Sequence, residues 1–452
     1  MRPERLIFVI LCLAAAFAVR GEVITVGDGG KFSSIASATE SANNGDVILV
    51  MPGTYVENLL LDKSLTIEGS GRPVLRGTGK GSVITVAAPA CVIRGFIIEH
   101  SGGDLQAEDA GILLRSTGTV VEDNELRDVL FGVYLYHSSR NSILRNVITG
   151  RAELESGERG AALHLWNSPN NRIENNIISH ARDGMYIQAS PNNTIRSNRV
   201  SNLRYGLHYM NSNDNLFEDN VFFDNIAGAA IMYSERITLR RNAFVHNRGF
   251  SSFGILFQDC RECITEENLI HNNATGLFLE ASQNSVFRRN TIAENDVALQ
   301  VFSSSSGNIF AENNFVDNLS PLSLVGRGGS IRWEEGDRGN YWSDYGGYDL
   351  DNDGFGDVSH KIQNIFEYME GNFPRLRIYL NSPAAQSMVI AEKSFPIVKG
   401  SDEVDRKPLM RPAEIAVSID LTRQRGRSWG LPAASLLMLA ISLFTFKRGF
   451  VR

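Results

Sequence analysis

The sequence predicts an all-β chain folded as a right-handed parallel β-helix, a solenoid of about 22-residue coils. Three observations carry this expectation. Gly184, Gly206 and Gly228 recur every 22 residues, and Gly254 and Gly276 resume the spacing after a four-residue slip. Asparagines keep the same beat at Asn176, Asn198, Asn220 and Asn242, then at Asn268 and Asn290, with Asn124 and Asn146 as earlier members. Each repeat holds two short alternating segments, such as GMYIQ with TIRSNRV. Period-two alternation marks strands with one buried face. Stacked in parallel, equivalent positions lie about 4.8 Å apart. Asparagine amides then form a ladder, and glycine supplies backbone freedom at corners. A leucine-rich horseshoe would need an LxxLxLxxN register that these repeats lack.

The elements follow in order. Residues 1–20 read as a signal peptide: Arg2 and Arg5 precede an apolar run from Leu6, and Ala16-Phe17-Ala18 fits a small-residue cleavage site. Residues 21–63 form an N-terminal cap and first coils, with Phe32, Ile35 and Ala36 on one face of a short covering helix. Residues 64–325 are the repeats, and 326–380 a C-terminal cap with an Asp-rich loop. In the tail at 381–428, Ala385, Met388, Val389 and Phe395 make an apolar helical stripe suited to a partner's groove or to covering the last coil. Residues 429–448 contain an uncharged run, Trp429 to Phe446, flanked by arginines and a lysine, which makes a short candidate membrane anchor. Longer loops interrupt the beat near 101–110, 151–160 and 247–253, and solenoid insertions often carry partner contacts.

The balance of 44 Lys+Arg against 51 Asp+Glu excludes the basic stripe that nucleic acid requires. Beyond the signal lie Cys91, Cys260 and Cys263, too few for a disulfide framework. The pair in DCREC could bridge locally, hold a metal, or serve only structure. Catalysis on polysaccharides by a lyase, hydrolase or epimerase is the alternative function. It needs paired carboxylates, or a base beside a cation. The regular polar column is amide, and Asp183, Asp214 and Asp224 read as turn residues. The expectation is therefore a non-enzymatic protein.

Two clusters suit metals. In GNYWSDYGGYDLDNDGFGD, residues Asp349, Asp351, Asp353 and Asp357 have the alternating spacing of oxygen ligands for Ca²⁺, although His360 stands where an EF-hand places glutamate. Aligning the repeats on their glycines puts His164 and His208 in one outward column and Met210 and Met232 in another. Imidazole with thioether suits Cu(I), while the same residues would also make good contact surface.

The repeats with YGLHYM and AAIMYS, the GNYWSDY motif and the tail SPAAQSMVIAEKSFP together resemble the NosD family, exported maturation factors of nitrous oxide reductase. The resemblance spans nearly all of the mature chain. It implies a periplasmic, non-enzymatic role beside an ABC-type ATPase and permease. It also implies copper received from a lipoprotein chaperone for the copper–sulfur centre of the apo reductase.

Overall fold

The parallel β-helix that the repeats predict is what the chain builds. The computed structural model describes residues 21–249, 251–326, 330–363, 374–379, 382–384, 387–388, 391 and 403–415. The candidate signal peptide at 1–20, the candidate anchor at 429–448, Val389 and Phe395 lie outside the described residues. Among those described, three parallel sheets of 14, 12 and 13 strands run the length of the rod. The first sheet begins at Val23–Val26, the third at Thr54–Val56 and the second at Leu59–Leu61, so coiling starts at the very beginning of the described residues. It continues past residue 325 through Ser330–Arg332 and Tyr341–Trp342. The only antiparallel strand pair described is His360–Lys361 with Val404–Asp405.

The N-terminal end is closed by the helix Ile35–Ser41, which buries Ile35 and Ala38 and packs Phe32 and Ala36 against the core. Seven residues are too few to hold a helix alone. Two side chains from the first coils complete its ends. The Glu57 carboxylate accepts from Ile35 N at 2.9 Å and Ala36 N at 3.0 Å. Lys63 Nζ donates to the carbonyls of Thr39, Glu40 and Ala42 at 3.1, 2.6 and 2.8 Å. Each charge opposes the helix dipole at its end.

The predicted asparagine column is a continuous buried ladder. Asn198 N donates to Asn220 Oδ1 at 3.0 Å, and Asn220 N to Asn242 Oδ1 at 3.0 Å. The same contact links every rung from Asn124 to Asn340. An amide can continue such a chain because it both donates and accepts. The last rung needs only an acceptor, and there a carboxylate takes over: Asp405 Oδ2 accepts from Asn340 N at 2.7 Å and Trp342 Nε1 at 3.0 Å.

The column glycines have a different reason from the one expected. Gly184, Gly206 and Gly228 do not adopt positive φ. A Cβ on Gly206 would meet the Gly228 carbonyl oxygen at 2.6 Å, so glycine is required by the close approach of the next coil. The left-handed corner falls instead on the residue before each ladder asparagine from Asn124 to Asn313, including Ser197, Asp219 and Arg241 at φ 54°, 58° and 50°. That conformation costs about 1–2 kcal/mol for a non-glycine residue, and the ladder bonds that follow it offset the cost.

The cysteines also belong to the frame. Ser168, Ser190, Ser212 and Ser234 form a second buried ladder at another corner. Cys260 occupies the next rung, and Cys263 the position held by Asn171, Asn193 and Asn215 in earlier coils. Both are free and buried, their sulfurs directed at the carbonyls of Ile231 and Arg261.

Candidate functional site

Outward positions of the second sheet carry the unusual chemistry. In Tyr205–Met210, Leu207 and Tyr209 are fully buried, so alternation turns His208 and Met210 outward. The register then fixes their neighbours. Across the strands, His164 pairs with Tyr186, Tyr186 with His208, and His208 with Ala230. One step along, Gln188 pairs with Met210, and Met210 with Met232. Met210 and Met232 thus lie side by side on adjacent coils, with His208 two residues from Met210 on the same face. His164 lies two coils from His208, with the Tyr186 ring between them at 4.8 and 4.7 Å.

Beneath His208 lies a residue that the sequence reading assigned to turn duty. Asp183 opens the strand Asp183–Gln188 and is fully buried. Its Oδ2 lies 3.1 Å from His208 Nδ1, and Arg204 binds both oxygens at 2.9 and 2.6 Å. Burial alone would raise the Asp183 carboxyl, but the bonds from His208 and Arg204 together hold it below the usual carboxylate range. The arrangement fixes one imidazole nitrogen against a carboxylate and leaves Nε2 as the atom available to a ligand, as in metal sites whose histidines are oriented from behind. A signal was available: Asp183 occupies a strand position filled by Tyr205 and Ala227 in the following coils.

The three insertions border this face. Leu105 and Glu108 of the first share a cavity with His164 and Tyr186, and Ser156 and Arg159 of the second share another with Arg204. Phe253 of the third sits 6.5 Å from Tyr205.

Elsewhere, the carboxylates of Asp349, Asp351 and Asp353 lie within 4.8 Å of one another. Asp349 also accepts from Gly354 N, and Asp357 is engaged with Leu350 N at 2.7 Å. Met388 is half-buried in a short helical turn. Among the described residues no helix is long and apolar enough to cross a membrane.

Comparison with known proteins decides the family. Residues 144–347, which include the whole His208 face, match the family model described as "Periplasmic copper-binding protein (NosD)". A model of unknown function, DUF1565, matches residues 61–192. The "Probable ABC transporter binding protein NosD" of Pseudomonas aeruginosa is 30% identical over 372 residues, covering 79% of this chain and 87% of the relative. The chain belongs to the NosD family. A second NosD relative, from Stutzerimonas stutzeri, is 27% identical over 79% of this chain and 85% of its own length. Among solved structures, the A-module of mannuronan C-5 epimerase AlgE6 from Azotobacter vinelandii aligns at a TM-score of 0.56. It covers 67% of this chain and 92% of the module at 14% identity, a likeness of fold alone. Family membership fits a periplasmic, copper-binding and ABC-transporter-linked NosD protein.

Proposed function

We propose that this NosD-family chain is an exported, non-enzymatic copper-delivery and scaffold protein, acting with an ABC ATPase and permease in maturation of the copper–sulfur centre of nitrous oxide reductase. Copper is cargo here. Cu(I) is taken from a lipoprotein chaperone, held transiently by His208 Nε2 and the sulfurs of Met210 and Met232, and passed toward the apo reductase. The observation that carries this reading is the pairing of Met210 with Met232 beside a histidine oriented by Asp183. Two thioethers and one imidazole favour a soft ion while leaving it labile enough to hand on. His164 sits apart, behind Tyr186, and is not needed for this set. Partner docking by the tail around Met388, Val389 and Phe395, and Ca²⁺ in the Asp349–Asp357 turn, belong to the same proposal as structural support.

The test is copper content of the reductase purified from cells whose own copy of this chain carries His208→Ala and Met210→Ala. A copper-deficient reductase is expected. Full copper loading would overturn the reading.

A second reading, chemistry on a polysaccharide, has one observation in its favour. The buried Asp183 and the outward-facing His208 form a carboxylate–imidazole pair. Turnover of uronic-acid polymers by the purified chain, lost in Asp183→Asn, would favour it.

A further inference from the structure

Beside the copper face lies a cavity of about 220 Å³, lined by Glu108, Phe131, His164, Trp166, Arg182 and Tyr186, among others. His164 is only 5% exposed, yet neither ring nitrogen has a hydrogen-bond partner. Arg182 Nε is likewise buried and unbonded, 3.7 Å from Asp183. Glu108 Oε1 stands 3.8 Å from His164 Nδ1, beyond hydrogen-bond reach. Two imidazole nitrogens without a partner, beside an arginine Nε that has only a long ion pair, are costly to leave so in one cavity. Such groups call for a partner from outside the chain, ordered water or a ligand.

The chemistry of the walls narrows which one. The His164 ring stacks on Tyr134 at 4.4 Å and meets Tyr186 edge-on at 4.8 Å, so its edge and not its face is free. Burial first, and then the Arg182 charge, lower its pKa to about 3, so the imidazole is neutral, one nitrogen donating and the other accepting. Arg182 adds a donor and Glu108 an acceptor. A metal ion would meet a single imidazole beside a guanidinium, and a free anion would meet Glu108. A neutral ligand whose groups both donate and accept satisfies the whole set, provided an apolar surface lies against Trp166 and Tyr186. Hydroxyls on a saturated ring have this character. A space of about 220 Å³ is of the size of one substituted six-membered ring and too small for an extended chain.

We propose that the His164–Arg182 cavity binds one neutral saccharide ring, with His164 and Arg182 bonding its hydroxyls and Trp166 covering its apolar face. The site is separate from the His208–Met210–Met232 set, and its fate is independent of the copper reading. Saturation-transfer NMR and tryptophan fluorescence of the mature chain test it, with D-glucose, D-galactose and N-acetyl-D-glucosamine as probes and sorbitol, acetate and Cu(I) as controls. At least one cyclic sugar should bind with a Kd in the millimolar range, as weak single-ring recognition does (about −4 kcal/mol at 1 mM). Sorbitol should not bind.

His164→Phe preserves the ring stack and removes both nitrogens, and is expected to weaken binding at least about tenfold. Arg182→Gln, at a partly exposed residue, should do the same if the first variant misfolds. Trp166→Phe should abolish the fluorescence change while the NMR signal persists. Comparing the best monosaccharide with its trisaccharide separates a free sugar from a glycan end, since only the latter gains affinity with length. Absence of binding by every cyclic sugar, binding unchanged in His164→Phe and Arg182→Gln, or displacement of the sugar by acetate or Cu(I) would overturn the proposal.

Discussion

Two outward faces of the same rod, built by the same repeat, carry opposite kinds of chemistry. On the first sheet, successive coils present Glu174, Arg196, Glu218, Arg240, Glu266 and Arg288 in register. Each charge has a neighbour of opposite sign, as in Arg196–Glu218 at 2.8 Å and Arg288–Glu266 at 2.6 Å. On the second sheet the equivalent outward columns carry Tyr186, His208, Met210 and Met232, over a buried carboxylate and beside orphaned nitrogens. A face whose groups satisfy one another needs nothing further. A face with soft donors, an oriented imidazole and unpaired buried atoms keeps bonding capacity that its own neighbours do not use. The contrast lies between closed and open bonding, and polarity alone would not reveal it.

The comparison can be broken or sharpened by substitution. The largest effect is expected in the buried asparagine ladder, at the corner between the first and third sheets. Asn220→Ala removes bonds to Ile195, Asn242 and both donors of Asn198, all buried. A loss above about 3 kcal/mol follows if two or more groups stay unpaired, seen as a marked drop in the chemical unfolding midpoint. Asp183→Asn should cost less, about 1–3 kcal/mol, because Arg204 is partly exposed and can turn to water. Its sharper signature is pH. The Asp183 carboxyl is held low in the fold, so its contribution is present above the ordinary aspartate range and is lost as pH falls through the depressed value. Wild type should therefore lose stability on acidification below about pH 4 more steeply than Asp183→Asn, read from thermal unfolding at several pH values. The smallest effect is expected on the charge ladder. Arg196→Gln, at a half-exposed residue of that ladder, should shift stability by less than about 1 kcal/mol, less again at high salt, with copper affinity untouched.

Much of this was legible in the sequence. The glycine and asparagine periods specify the coil, and alignment on the glycines is enough to place Met210 beside Met232. What escaped depended on contacts between coils. Asp183 is 25 residues from His208 in sequence, and only the stacking brings the two to 3.1 Å. The glycines were credited with conformational freedom, whereas their role is room for a neighbour's carbonyl. The DCREC pair reads as a motif in one dimension and as two rungs of Ser and Asn ladders in three. His164 and His208 share a column whose intervening member is Tyr186, and only the stacking shows that its ring fills the space between them at 4.8 and 4.7 Å.

The most direct measurement is a competitive Cu(I) titration of the purified mature chain against His208→Ala/Met210→Ala, with Arg196→Gln as the opposite-face control. One equivalent of Cu(I) should bind the wild type and the control alike. The double variant should lose more affinity than the roughly 10–100-fold that removal of an outer-sphere partner costs. Equal Cu(I) affinity in all three proteins would contradict the assignment of the second-sheet face to copper.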